Sequence, residues 1–496
     1  MLDDKEKHQE IEQVASESAE KMEKVMSKQE KITKTHSDIL SSGQAIWKPL
    51  LIFLIPMILS NALQSFGSTV GMIIMGQGLG ENSLAAASSV MPVLFFLISL
   101  VIGLGSASSV LIGQAYGGGQ TARLKETVNT SLKFSFLLGI VLAALGLLFT
   151  HELLQVVKIP PSAMPQAVDY AQILFASLPI QFIYICYTTF LRGTGDSKTP
   201  FYFLVISTIL SIVLSPILAF GWLGMPKLAI QGIALANVIA IVISMTILFI
   251  YLYKTKHILA LSPSYLKNLK MDRQILKLMI KIGIPTSIQM VFVSLSVIAV
   301  ISFVNQYGAQ AAAAYGAMVQ IISYVQLPAL SLGMATGIFG SQLIGADQPH
   351  RLKDLLRSAV WMNYLMGGLL VTLIYIFSRP ILSLFLVGTN TLDLAQSMLF
   401  LVVWAYLIFG HSTILAGMMR ASGTVLWPTL IGIVSIWCVQ VPLAYFLSHS
   451  VGLKGILYAY PIAFTVSVLS QYMYYHFFWR NKSHQNLFEN NVSSSS

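Results

Sequence analysis

The chain has 496 residues, of which 55% are hydrophobic and only 10% are charged, and its mean hydropathy is +0.72. Soluble domains carry roughly 25% charged residues, so this composition excludes a water-soluble globular protein. The net charge of +10 does not indicate nucleic-acid binding, because the Lys and Arg residues are scattered over short segments between apolar runs. That pattern is typical of the cytoplasmic loops of membrane proteins.

Twelve apolar segments of about 20 residues or more follow a polar N-terminal region, and a helix of this length crosses a bilayer. A membrane β-barrel is excluded, because barrel strands alternate polar and apolar residues and runs such as residues 93–102 do not. The sequence therefore predicts an all-α polytopic membrane protein. Its spans are predicted at residues 48–75, 84–113, 126–150, 167–191, 200–220, 230–253, 278–305, 311–344, 357–377, 394–419, 428–447 and 454–478.

Residues 1–45 are polar and are predicted to form a solvated tail. Apolar residues near helical spacing between Ile11 and Ile32 leave open a short amphipathic helix that binds the membrane surface or another copy of the chain. No cleavable signal peptide is expected, because this region lacks an apolar core. Cys186 and Cys438 lie inside apolar segments without a partner at a useful spacing, so no disulfide is expected.

A polar segment occurs twice, 228 residues apart: residues 114–126 read QAYGGGQTARLKE and residues 342–354 read QLIGADQPHRLKD. The same offset relates Gly80 to Gly308, Gly105 to Gly333, Arg192 to Arg420, Gly195 to Gly423 and Pro200 to Pro428. A single register over this distance indicates a duplicated six-span unit. Six spans return the chain to its starting side, so the two halves are predicted to be parallel repeats. They are predicted at residues 46–254 and 274–480, joined by a linker (255–273) and followed by a tail (481–496).

The distribution of basic residues predicts the orientation of the chain. Only four of the 30 Lys and Arg residues are predicted on the side opposite the termini: Lys158, Lys227, Arg379 and Lys454. Both termini are therefore predicted to be cytoplasmic, in a bacterial-type cytoplasmic membrane. The linker cations favour a role in topology, and recognition of an anionic lipid is the alternative. These cations are Lys254, Lys256, Lys267, Lys270, Arg273, Lys277 and Lys281.

No acidic residue is predicted near the middle of a span, although ionisable residues at that depth usually mark ion or proton paths. His411 is the titratable candidate at depth. It lies nine residues before Arg420, which is about 13 Å along a helix. An imidazole titrates near neutral pH and can carry a proton. A neutral His that bonds to a neighbouring helix is the alternative, and the two readings have equal weight.

Uncharged polar residues form stripes that predict a central cavity. Asn61, Gln64 and Ser68 share one face of the first span, and Gln289 is the equivalent of Asn61 in the second half. Each residue alone is more often a helix contact than a ligand contact. The further cavity candidates are Gln181, Tyr184, Asn237, Gln320 and Tyr324. Pro56 precedes the polar residues of the first span, and Pro285 precedes Gln289 in the seventh span. Both are hinge candidates, because proline removes a helix hydrogen bond.

Motifs for catalysis are missing from the sequence. The segment at residues 192–200, RGTGDSKTP, lacks the spacing of a phosphate-binding loop and follows a membrane helix instead of a strand. Its glycines suit a helix stop and Pro200 suits a helix start. No cluster of His, Cys and acids has metal-ligand spacing. We therefore expect no cofactor, no metal site and no enzyme activity, and the alternative of a membrane enzyme or sensor lacks a catalytic pair or soluble domain.

These features together resemble the multidrug and toxin extrusion (MATE) family. The resemblance covers about residues 46–480 and depends on the Arg192-Gly193-Thr-Gly195-Asp196 turn, its echo Arg420-Ala-Ser-Gly423 and the Gln114-x-x-Gly117 element. It implies a V-shaped arrangement of two six-helix lobes around a central cavity, with these turns as structural motifs. Many members have an Asp in the first span where this chain has residues 70–73. Coupling acids in the seventh and tenth spans would lie near residues 293–294 and 409–411, where His411 is the titratable residue.

The resemblance implies a secondary active antiporter that exports amphipathic, often cationic, compounds by alternating access. A proton gradient is the expected driving force and a sodium gradient is the alternative. The expected partners are a small-molecule substrate and the bilayer, without nucleic acid, and a monomer is expected. A flippase for lipid-linked sugars is the alternative function. It would need cations along the cavity, and none is predicted at a span centre.

Overall fold

The computed structural model describes residues 45–157, 159, 161–260, 271–386, 388–482, 484 and 486–488. Within these residues every regular element is helical, which confirms the predicted all-α fold. Eleven long apolar helices and one bent pair make up to twelve spans. We label them α1 (Trp47–Leu79), α2 (Glu81–Gly117), α3 (Thr121–Leu148), α4 (Met164–Gly193), α5 (Lys198–Phe220), α6 (Ala229–Lys254), α7 (Arg273–Asn305), α8 (Ala309–Gly345), α9 (Pro349–Ser383), α10 (Thr389–Val402 with Ala405–Ala421), α11 (Leu426–Val451) and α12 (Leu453–Trp479).

The tenth span departs from the continuous helix predicted at residues 394–419. It bends by 41° at Val403 and Trp404. Backbone N–H groups of Tyr406 and Leu407 bond to carbonyls only three residues earlier, at 3.2 and 3.1 Å, which tightens the chain at the bend. The Asn363 side chain on α9 donates to the Leu407 carbonyl at 2.9 Å. Because no glycine or proline marks this bend, hydropathy alone does not locate it.

Each half has its own hydrophobic core. Phe182, Tyr187 and Phe190 are fully buried in the core of the first half, which draws mainly on α2 to α6. Met318 and Leu399 are fully buried in the core of the second half, which draws on α7 to α12. The helix ends and connections that follow α2, α4, α6, α8 and α10 together carry most of the basic residues of the two halves. We call the side on which they lie the basic side.

The helices α1 and α7 cross between the halves. Near the basic side Leu54 and Met57 of α1 pack with Leu332 of α8 in a core cluster of the second half. Met279 of α7 packs likewise with Leu111 of α2 in the first half. Towards the opposite side both helices return to their own halves. The two repeats therefore interlock through their first helices.

The linker and the N-terminal tail are only partly described. Asp272, at the end of the linker, caps α7 by accepting hydrogen bonds from the backbone N–H groups of Gln274 at 2.7 Å and Ile275 at 3.0 Å. Its second carboxylate oxygen lies 3.9 Å from the Arg123 guanidinium on α3. Residues 1–44, with the predicted amphipathic pattern, and the linker cations Lys267 and Lys270 lie outside the described residues.

Candidate functional site: the seam between the two halves

The basic ends of α2 and α8 meet at backbone distance. A Cβ atom added to Gly117 would lie closer than 3.0 Å to the Gln342 carbonyl, a separation that real Cβ atoms essentially never show. A Cβ atom on Gly345 would collide in the same way with the Gln114 carbonyl. Glycine is therefore required at both positions for this contact. We call the contact between residues 113–118, at the end of α2, and residues 341–345 of α8 the seam.

Two crossed hydrogen bonds reinforce the seam. The Gln114 Nε2 group donates to the Ala421 carbonyl at the end of α10, at 2.8 Å. The Gln342 Nε2 group donates to the Gly193 carbonyl at the end of α4, at 2.9 Å. Gln342 is offset by 228 residues from Gln114, and Ala421 by 228 from Gly193, so the two bonds are equivalent in the repeats. The duplicated motif of the sequence is thus the contact between the halves.

The two turns that carry the family resemblance shape the seam. The backbone N–H of Gly195 donates to the Arg192 carbonyl at 2.9 Å, and that of Gly423 donates to the Arg420 carbonyl at 2.9 Å. Gly195 has a φ of +88° and Gly423 a φ of +77°, a left-handed conformation that favours glycine. Asp196 caps α5 by accepting from the backbone N–H groups of residues 198 and 199, both at 3.0 Å. Each turn thus ends one helix beside the seam, and Asp196 begins the next one.

Burial shows on which side the halves are closed. Residues 101–115 of α2 are buried except Ile102 and Ser106, and residues 331–344 of α8 are buried except Met334. Further from the basic side, side chains on α2 such as Phe95 are exposed. The structure is therefore closed at the basic side.

Asn61 and its equivalent Gln289 both lie against helices of the second half. The Asn61 Nδ2 group donates to the Ser331 hydroxyl on α8 at 3.0 Å. The Gln289 Nε2 group lies 2.7 Å from the position of a Cβ on Gly432, in α11. Gln320 stands 21 residues, nearly six helical turns, before Ser341, and therefore on the face of α8 that forms the seam.

The other predicted cavity residues are more scattered. Gln64, Ser68, Asn237 and Tyr324 have exposed side chains. Gln181 donates to the Ser177 hydroxyl of its own helix at 2.6 Å.

Tyr184 is buried inside the first half. Its hydroxyl faces Ser207 on α5 and Ser244 on α6. Tyr184 therefore belongs to the packing of α4, α5 and α6, away from the seam.

His411 lies between α10 and α9. Its Nδ1 atom is 3.1 Å from the Tyr364 hydroxyl, and the two rings meet edge to face at 5.8 Å. The same side of α9 carries the exposed side chains of Trp361 and Leu365. His411 therefore faces the α9 side of its half and not the seam.

Lys133 corrects the prediction that no cation lies at a span centre. It is the thirteenth residue of α3, about 18 Å along the helix from Thr121. It is also the eighth residue of the third span predicted at residues 126–150, so the predicted span itself contained this cation. The long side chain of a lysine can extend to the membrane surface from such a depth.

The two predicted hinges lie in the crossing helices, and α1 and α7 continue as helices through Pro56 and Pro285. The Ser60 hydroxyl donates to the Pro56 carbonyl at 2.8 Å. Pro56 stands next to Met57, the last residue of α1 in the core of the second half. Each proline thus lies near the point at which its helix leaves the opposite half.

Sequence reasoning missed two polar contacts in the second half. Ser331, the partner of Asn61, is the equivalent of Gly103. A comparison of the two halves at the 228-residue offset could therefore have drawn attention to this position. The hydroxyls of Tyr315 on α8 and Tyr460 on α12 are 2.7 Å apart in a buried cluster. The sequence carries no periodic signal for this pair, and Tyr315 stands alone in an alanine-rich stretch.

Known proteins are similar to this chain in sequence and in fold. A family model described as MatE matches residues 56–217 and 285–446, one stretch in each half. The chain is 50% identical to the probable multidrug resistance protein YoeA of Bacillus subtilis (strain 168), over 89% of this chain and 96% of that protein. It is 27% identical to the probable multidrug resistance protein YpnP of the same organism, over 87% of this chain and 95% of that protein.

A crystal structure of a mutant MATE transporter, VcmN of Vibrio cholerae, superposes with a TM-score of 0.82 at 20% identity and covers 89% of this chain and 98% of that one. This likeness confirms the fold. With the family model matched in both halves and a relative half identical along nearly its whole length, the chain belongs to the MATE family of multidrug efflux transporters.

Proposed function

We propose that this transporter is a monomeric secondary antiporter that exports amphipathic cations by alternating access, with its basic side and both termini in the cytoplasm. The observation that carries the proposal is the crossed seam, in which Gln114 and Gln342 each bond across to the other half. A contact built from two equivalent halves breaks as a unit when the halves separate. It therefore suits a two-state element that opens and closes the cytoplasmic side.

The crossing helices supply a route for this motion. When the basic ends separate, α1 must part from α8, and α7 must part from α2, or both helices must bend. Pro56 and Pro285 stand next to these contacts, and a proline lowers the cost of a bend because one backbone hydrogen bond is already absent. We propose bending at these two residues during transport.

We propose that a lipophilic cation binds between the halves above the seam. Phe95 and Tyr324 are exposed on α2 and α8, and the faces of aromatic rings attract cations. Gln320, on the seam-forming face of α8, offers an amide oxygen. Among the described residues, the acidic residues of the spans lie within the first two helical turns. We therefore propose that ring faces and amides, and not a carboxylate, hold the substrate.

A proton gradient is the proposed driving force, with sodium as the alternative. His411 remains the candidate proton carrier, because an imidazole titrates near neutral pH. Its contact with the Tyr364 hydroxyl at 3.1 Å is the arrangement that the alternative, a neutral His bonded to a neighbouring helix, also predicts. Its distance from the seam means that coupling would pass through the bent helix α10. Flipping of lipid-linked sugars is not favoured, because the mid-span cation Lys133 lies on α3 and not on a seam helix.

Transport by the purified protein in liposomes tests the proposal. A fluorescent cationic dye is loaded, and proton and sodium gradients are imposed separately. We expect dye movement driven by the proton gradient and its loss in His411→Asn, while the control Tyr364→Phe, which keeps the ring and removes only the hydroxyl, retains most of the rate. Dye movement that ignores both gradients would exclude antiport, and an unchanged His411→Asn would exclude His411 as the carrier.

A further inference from the structure

The residues described beyond α12 (480–482, 484 and 486–488) lie at the basic side of the bundle. Trp479, which ends α12, is buried, and its Nε1 group donates to the Ser422 hydroxyl in the turn after α10 at 2.8 Å. The ring of His484 stacks on the Trp479 ring with centroids 3.9 Å apart. These contacts anchor the segment to the second half.

Residues 486–488 then cross to the first half. The backbone N–H of Leu487 donates to the Gln114 Oε1 atom at 2.9 Å. The Leu487 Cδ2 atom lies 2.9 Å from the position that a Cβ on Gly423 would occupy. Phe488 packs against the core of the first half and against a second cluster that includes Met279 and Val425. A short segment therefore touches both halves directly below the seam.

Gln114 is the centre of these contacts. Its Nε2 group holds Ala421 of the second half, and its Oε1 atom accepts from Leu487. The equivalent residue Gln342 bonds to Gly193. The segment equivalent to residues 486–488 follows α6, and its Leu259 is buried in the core of the first half, the half to which α6 belongs. The crossing segment thus breaks the symmetry of the repeats.

We propose that residues 486–488 are a latch that holds the cytoplasmic side of the transporter closed by bridging Gln114 and Gly423. The proposal rests on alternating access as the proposed function. If the halves separate at the seam, Gln114 leaves Ala421, and a latch anchored at Trp479 must also release Gln114 and Phe488. The latch therefore adds its contacts to the closed state and sets how often the cytoplasmic side opens.

Cysteine labelling at the seam tests the latch in the full-length protein. Thr194, which is 4% exposed beside Gly193, is replaced by Cys in a background with Cys186→Ser and Cys438→Ser. A membrane-impermeant maleimide is applied to inside-out vesicles with and without a cationic dye. Two latch variants are compared with the parent: Leu487→Ala with Phe488→Ala, and a chain that ends at Lys482. Phe477→Ala on the exposed face of α12 is the matched control.

We expect labelling to rise about tenfold in both latch variants, since both remove the packed side chains of Leu487 and Phe488, and burial of one apolar side chain is worth about a factor of ten. The chain that ends at Lys482 also loses the bond from the Leu487 N–H to Gln114. Phe477→Ala should stay at the parental rate. Gln114→Leu removes the bond to Ala421 in every background, but it removes the bond to Leu487 only where the latch is present. It should therefore raise labelling more in the parent than in the chain that ends at Lys482, whereas Gln342→Leu should have the same effect in both. Equal labelling in parent and latch variants, or an effect of Gln114→Leu that is as large without the latch as with it, overturns the latch.

The dye separates this result from a failure of alternating access. If the dye changes labelling of the parent but the latch variants behave like the parent, the latch is wrong and alternating access stands. If neither dye nor gradient changes labelling in any variant, alternating access at this seam is wrong, and the latch falls with it. Increased labelling that responds to dye and is specific to the latch supports both.

Discussion

The contact between Gly113 and Ser341 makes a sharp prediction about the seam. The two residues are equivalent in the repeats and face each other, since a Cβ on Gly113 would collide with the Ser341 Oγ atom. We predict that Gly113→Ser opens the basic side. Adding Ser341→Gly should close it again, because the double variant exchanges the two side chains across the pseudo-twofold axis.

The magnitude follows from the packing. The added Cβ would lie closer than 3.0 Å to a hydroxyl that already donates to the Ile338 carbonyl at 2.7 Å, so the helices must move apart. Overpacking of this kind costs about 1–3 kcal/mol. Every 1.4 kcal/mol changes an equilibrium constant tenfold, so the equilibrium constant between open and closed states should shift about 5- to 150-fold towards the open state. Ser341→Gly alone removes the hydroxyl without a collision and should change the equilibrium little.

The assay is the rate at which a cysteine at position 194 reacts with impermeant maleimide from the basic side. The expected order is fast for Gly113→Ser and close to the parental rate for Ser341→Gly and for the double variant. Such a large non-additive coupling is the signature of two residues in direct contact. If Gly113→Ser labels no faster, or if the double variant stays as fast as Gly113→Ser, the reasoning about the seam is refuted.

Three further predictions concern stability and pH. Asp196→Ala should lower the stability of the detergent-purified protein by about 1 kcal/mol, seen as a lower unfolding midpoint, because α5 loses its cap. Tyr315→Phe should cost about 1–3 kcal/mol by leaving the buried Tyr460 hydroxyl without this partner, and replacing both by Phe should restore most of the loss. Burial lowers the pKa of His484 below its usual 6.5, so docking of residues 486–488 should be complete above pH 6.5 and weaken as the pH falls further. Hydrogen exchange at those residues, corrected for the intrinsic rate at each pH, should show this weakening in the parent and not in His484→Gln.

The architecture could be predicted from the sequence because it follows from strong, additive signals. Apolar length gives the spans, and the offset between Gln114 and Gln342 reveals the repeat. The same comparison could also have located the seam, because the residues that are identical at equivalent positions of the two halves, such as Gln114 and Gln342, meet at the axis between the halves. Gly117 and Gly345 could have been predicted as a contact on this ground.

The site residues were harder to predict, because the position of a residue along a span does not determine which neighbouring helix its side chain contacts. His411 was correctly placed within a span, but periodicity does not say which neighbour a helix face meets, and its partner is Tyr364 on α9. The Leu487 contact joins residues 373 positions apart in sequence, through a backbone N–H that leaves no mark on side-chain pattern. Lys133 was overlooked inside the predicted third span, where a long, flexible cationic side chain can be tolerated because it extends towards the membrane surface.

The distance between the two halves at the basic side is the most direct measure of the central claim. Spin labels at Glu126 on α3 and Asp354 on α9, which are exposed and equivalent in the repeats, report this distance by pulsed electron resonance in liposomes. We predict one short distance in the resting protein and a second, longer distance that becomes populated when a cationic substrate and a proton gradient are supplied. A single unchanged distance in a sample that still transports the substrate would contradict alternating access at this seam.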